Sequence, residues 1–133
     1  MRTTTGVLPG QTARTFDREA SSVPKARHWV NDIYTDLGAP DAVLETCALL
    51  VSEVVTNAVL YGAGPEFSVV VDSDFYIEVW DGADKLPRRR THAVDSTSGR
   101  GLELLELLAP GYRVIRDPDR TGKGIRFLPR GWT

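Results

Sequence analysis

Apolar side chains recur along this sequence at two spacings, and the change from one to the other divides the chain into elements. Val23, Ala26, Val30, Ile33 and Leu37 stand three and four residues apart, the stripe of an amphipathic helix. Ser22 followed by Pro24 marks a start and Gly38 a stop, so a helix is expected over 22–37. Pro40 and Asp41 open a second helix that runs to Tyr61, where Gly62, Gly64 and Pro65 end it. Two runs rich in β-branched and aromatic residues follow, 67–71 and 75–80, with Asp72, Ser73 and Asp74 as the turn between them. Residues 81–98 have no period, and a loop of that length in a small domain is usually functional. A third helix is expected from Gly99 to about Leu108, broken by Pro110, and a closing hairpin from 112–116 and 125–128. Residues 12–16 make a short edge strand. Helices that cluster and strands that meet as hairpins predict an α+β fold, its sheet mostly antiparallel and its helices on one face.

Length and composition narrow the class. The chain has 133 residues, 41% of them hydrophobic and 26% charged, enough for one real core without staples. One domain over 12–129 is expected, with a flexible N-terminus at 1–11 and a short C-terminal end at 130–133. This excludes a disordered tail, a collagen-like fibre and a disulfide scaffold. A net charge of −2 lacks the basic footprint of a nucleic-acid binder. No apolar run is expected to span a bilayer, and the first eleven residues carry no hydrophobic leader. Cys47 is the only cysteine, which excludes an internal disulfide and suits a reducing cytosol.

The second helix carries the most informative chemistry. Leu44, Ala48, Val51, Val55, Ala58 and Gly62 form a small or apolar stripe. Glu53 lies opposite it with Asn57 one turn on, flanked by Leu49, Leu50 and Leu60. A polar pair on a helix apolar nearly all round is expected to line a site or an internal network. An amide oxygen suits Mg²⁺, and a carboxylate near a phosphate accepts a proton from a hydroxyl. An exposed glutamate with a structural asparagine answers the same spacing. Asp81, closing an apolar strand before Gly82, either accepts a hydrogen bond from a ligand amino group or starts a turn. Gly99, Arg100 and Gly101 precede Leu102 at a helix start, a phosphate cradle or a merely flexible loop. Gly122-Lys123-Gly124 fails as a P-loop, since Asp117 stands where its first glycine belongs, and reads as a hairpin turn. The run Arg88-Arg89-Arg90 grips an anion or is solvated. His28 and His92 stand apart, so no zinc site is expected.

Four of these segments share an order with a known family. The stretch Leu49-Leu50-Val51-Ser52-Glu53-Val54-Val55-Thr56-Asn57-Ala58-Val59 resembles the N-box of the GHKL (histidine-kinase-like) ATPase superfamily, most closely its small bacterial anti-sigma-factor serine kinases. Val79-Trp80-Asp81-Gly82 is similar to the first glycine box, Ser98-Gly99-Arg100-Gly101-Leu102 to the second, and Gly122-Lys123-Gly124-Ile125-Arg126-Phe127 to the final turn and strand. The resemblance spans about residues 12–128.

It implies a two-layer α+β sandwich of the Bergerat ATP-binding type, with a mixed, mostly antiparallel sheet and about three helices on one face. It implies ATP and Mg²⁺ as cofactors, Asn57 as the Mg²⁺ ligand and Glu53 as the general base toward a partner's serine. Asp81 would bind the adenine amino group, with Gly82, Gly99, Arg100, Gly101 and Leu102 completing the nucleotide contacts. The implied partners are a sigma factor and a STAS-type anti-anti-sigma protein, in the cytoplasm, with no direct contact to nucleic acid or membrane and a homodimer as the family's habit. A protein-binding module on the same fold, with weak or no catalysis, is the alternative. Three positions depart from the family's pattern: Tyr61 stands for a usual His, Ala83-Asp84-Lys85 follows Gly82 where glycine or serine is common, and Gly124 stands for a Thr of the adenine-side hydrogen-bond network. Loss of that hydroxyl would weaken binding by about one hydrogen bond, roughly 0.5–1.5 kcal/mol.

Overall fold

The computed structural model describes residues 10–82, 103–116 and 122–132. Its elements run β1 (Gln11–Asp17), α1 (Ser22–Asp36), α2 (Asp41–Tyr61), β2 (Glu66–Asp72) and β3 (Ile77–Asp81). A helical stretch at 103–108, α3, follows, then β4 (Arg113–Ile115) and β5 (Lys123–Phe127). The expected elements are present in the expected order; the part of the third helix expected at 99–102 lies outside the described residues.

Local chemistry sets the helix ends. Gly38 takes φ +87°, the left-handed conformation that costs glycine nothing. Its N–H donates to the Thr35 carbonyl and the N–H of Ala39 to that of Tyr34, the paired closure of a Schellman motif. At the other end, Ser21 rather than Ser22 is the N-cap, and its side chain makes no capping bond. The expected Ser22 is instead buried in the core.

Among the described residues all four strand pairings are antiparallel, in the order β1-β2-β3-β5-β4. The last strand therefore enters between β3 and β4. Period-two alternation gives the sheet two faces. Phe16, Phe67, Val69, Val71, Ile77, Val79 and Phe127 face the helices and join Val30, Tyr34, Leu50, Val51, Val55 and Leu105 in one core. Ala13, Val70 and Trp80, with Ile115, form a small cluster on the opposite face. There the Arg126 guanidinium donates to Asp72 Oδ2 and Glu78 Oε2, each at 2.8 Å, and Glu78 Oε1 accepts from Trp80 Nε1 at 2.9 Å. The turn before β3 is longer than its three polar residues suggest. The Asp72 carboxylate accepts from the N–H groups of Asp74 and Tyr76, and Phe75 sits at φ +72°, so the strand starts at Ile77 and not at Phe75.

At 21 residues α2 is long and apolar enough to cross a membrane by length and composition, against the expectation that no run reaches that size. In the fold it is the central core helix, burying Val43, Cys47, Leu50, Val51, Val54, Val55 and Ala58. The buried sector is wider than the expected stripe because α2 packs on α1 as well as on the sheet. Leu44 and Ala48, expected at its centre, are only half-buried at its edge.

Candidate functional site

Glu53 and Asn57 lie one turn apart on α2, as their spacing requires. Their surroundings differ from expectation on one side. Leu50 is fully buried, but Leu49 is 43% exposed and Leu60 57%. Glu53 thus sits on the sector of α2 left open by α1 and the sheet, with Asn57 at its border. Glu53 Oε2 and Asn57 Oδ1 are nonetheless buried oxygens, and Asn57 Oδ1 accepts no hydrogen bond among the described residues. Beside them, Arg27 of α1 donates to Ser52 Oγ at 3.1 Å, which fixes the two helices against each other at this level.

Three backbone segments converge where α2 ends. A Cβ placed on Gly62 would stand 3.2 Å from Asp81 Cβ, and one on Gly82 would stand 2.7 Å from the Ala63 carbonyl oxygen. A Cβ on Gly122 would fall 1.9 Å from the Asp81 carbonyl oxygen, and Gly122 holds φ +83°. Only glycine fits that position on both counts. Arg18 locks the same corner from outside: its Nε donates to the Gly64 carbonyl at 2.6 Å and its Nη1 to that of Val59 at 2.7 Å.

Asp81 therefore ends β3 on the helix side of the sheet, against the C-terminal end of the helix that carries Glu53 and Asn57. Its cross-strand partner is Lys123, with Nζ 3.8 Å from Asp81 Oδ1 and side-chain exposures of 7% and 15%. This corrects the expectation at Gly124. Alternation along β5 puts Lys123, Ile125 and Phe127 on the helix side and Gly124 and Arg126 on the other. A Cβ on Gly124 would lie 2.7 Å from the Trp80 ring, so this position has no part in the network around Asp81. Lys123, Gly62 and Gly122 are the residues missed by the sequence reading. The alternation Lys123-x-Ile125-x-Phe127 was the available signal for the first.

Asp81 and Gly82 meet the C-terminal end of α2, the helix that carries Glu53 and Asn57 further back. The other expected site residues, Gly99, Arg100, Gly101 and Leu102, lie outside the described residues, as do Ala83 and the arginines at 88–90. Tyr61, at the departure from the usual His, is half exposed on the last turn of α2.

The helical polar pair, the carboxylate closing a core strand and the glycines where backbones meet all lie within the segment that a known family matches. The family model for the histidine kinase-like ATPase domain matches residues 16–127, and the chain belongs to that family. No curated protein sequence matches it. Among solved structures, the RsbU and RsbW domains of a Mycobacterium tuberculosis protein superpose with a TM-score of 0.59 at 17% identity, over 89% of this chain and 31% of that one. The shared architecture is the two-layer α+β fold, and this chain spans less than a third of that protein's length.

Proposed function

We propose that this chain is an ATP-binding serine/threonine-protein kinase that acts as an anti-sigma factor in the cytoplasm. It would hold a sigma factor and phosphorylate a STAS-type anti-anti-sigma partner. The observation that carries the reading is Asn57 Oδ1, a buried amide oxygen with no partner among the described residues, one turn from Glu53 on the helix whose end meets Asp81. Leaving such an acceptor unmet costs about 1–3 kcal/mol, and a hard oxygen donor at that place fits Mg²⁺. Family membership supports nucleotide binding, and the presence of an RsbW domain in the structural neighbour supports the kinase class.

In this reading Asp81 accepts a hydrogen bond from the adenine amino group, and Asn57 holds the cation. Bound Mg²⁺ would supply charge neutralisation on the phosphates. The Glu53 carboxylate accepts the proton of the partner's serine hydroxyl as its oxygen bonds to the γ-phosphorus. The bond from that phosphorus to the bridging oxygen of the departing ADP breaks in the same transfer. Gly82 and residues 99–102 would shape the phosphate end.

The reading is tested by calorimetry with ATP and ADP, with and without Mg²⁺, on wild type and Asn57→Ala. Mg²⁺-dependent binding that the variant loses is expected, and absence of binding at high nucleotide concentration overturns the reading. Phosphotransfer to a serine-bearing antagonist should vanish in Glu53→Ala while partner binding persists. The alternative is a protein-binding module on the same fold without catalysis. Wild type that captures a sigma factor yet transfers no phosphate to its cognate antagonist would establish that alternative.

A further inference from the structure

Lys123 is a buried charge on an otherwise apolar strand face. Its neighbours along the same face of β5 are Ile125 and Phe127, and the residue is 6% exposed. Taking an ammonium out of water costs several kcal/mol, and an apolar side chain of similar size usually stabilises a core as well as an ion pair does. The pair with Asp81 offsets part of that cost. What the pair provides is a chemical pattern. A carboxylate only accepts hydrogen bonds and an ammonium only donates them. Side by side at 3.8 Å, they place an acceptor next to a donor at the corner formed by the end of α2, the end of β3 and the start of β5.

We propose that Lys123 is a base-reading residue, which with Asp81 recognises the edge of adenine that presents an amino donor next to a ring-nitrogen acceptor. This rests on the nucleotide-binding reading above and adds a specificity determinant to it. Asp81 takes the hydrogen of the exocyclic N6 amino group, and the Lys123 ammonium donates to ring nitrogen N1. A direct charged donor then replaces the hydroxyl whose absence the sequence comparison placed at Gly124. The site reads two atoms of the base with two side chains from neighbouring strands.

The test compares binding of ADP with that of 1-deaza-ADP, which keeps the amino group and replaces N1 by C–H. Calorimetry is run on wild type, Lys123→Met and Lys123→Thr, with circular dichroism to establish that each variant is folded. Wild type should bind ADP about tenfold or more tightly than the deaza analogue, the scale of a hydrogen bond from a charged donor. In the variants the two ligands should bind within about threefold of each other, the range expected when no coupling remains. The wild-type comparison needs no substitution, so a variant that fails to fold leaves the proposal open to refutation. Wild type that binds both ligands alike overturns it, as does a folded variant that still discriminates tenfold. If wild type binds neither ligand, the nucleotide-binding reading falls and this inference falls with it.

Discussion

Gly124 has no room for a side chain, because the Trp80 indole lies over it and is itself held by Glu78. Gly124→Thr, the change that would restore the family's usual residue by simple alignment, is therefore expected to lower stability by roughly 1–3 kcal/mol, the scale of an overpacked site. It should leave nucleotide affinity unimproved. Thermal denaturation and calorimetry of that variant check both halves. Cys47, deep in the core, makes a second residue-scale prediction. Burial pushes its thiol up from 9.0 to about 12. A group whose folded pKa is raised stabilises the fold fully below its unfolded value, and this contribution is lost as pH rises toward the folded one. Stability should therefore fall between about pH 9 and 12 with a slope of up to ~1.4 kcal/mol per pH unit from this thiol. Cys47→Ala should flatten that slope in denaturant titrations. Burial also pushes the Tyr34 hydroxyl up, with Cys47 and Asp72 adding to the shift, so Tyr34 adds a fall in stability of the same sign at alkaline pH.

At the scale of elements, the corner that carries the site depends on a clamp outside it. Arg18 follows β1, and its guanidinium holds carbonyls from the last turn of α2 and from the connection to β2. Cationic donors at a helix C-terminus are favourable, and each bond to a charged donor contributes about 1.5–3 kcal/mol. Arg18→Ala should lower the melting temperature and speed amide hydrogen exchange at 62–64, and faster exchange confined to the rest of the chain would refute the clamp. The element boundaries themselves were largely legible. Gly38 and Pro40 are local signals, and the structure uses both for the reasons their chemistry gives. The start of β3 was not legible, because an aromatic residue at positive φ is not a sequence pattern; Phe75 is held there by the Asp72 turn, by the Tyr34 hydroxyl bonded to its carbonyl and by the Trp132 ring, tilted by 39° at a centroid distance of 4.2 Å.

For the whole molecule, the α+β class and the order of elements followed from hydrophobic spacing alone, whereas the strand order did not. Pairing partners far apart in sequence leave no local trace, so the insertion of β5 beside β3 had to be seen. The candidate site was legible in the same uneven way. Helical spacing and strand position left Glu53, Asn57 and Asp81 open to structural readings, and only the family resemblance singled them out. Lys123 was overlooked because its meaning depends on a partner in another strand. The open side of α2 was misjudged because a one-dimensional pattern does not say which sector a neighbouring helix covers.

The insertion of β5 also bears on how the chain folds. The β2–β3 hairpin and the α1–α2 pair are each built from neighbouring segments, whereas pairing Asp81 with Lys123 closes a loop of about forty residues. Local contacts form early and such distant ones late, so pulse-labelled exchange should protect the β2–β3 hairpin and the helices before the amides bonded between β3 and β5. Earlier protection of those β3–β5 amides would refute this order. A chain caught partway through folding would hold Glu53 and Asn57 on a formed helix yet lack the strand that brings Lys123 to Asp81. The corner proposed to read the base is thus assembled only after its local parts and, by the same reasoning, opens before them when the protein is stressed.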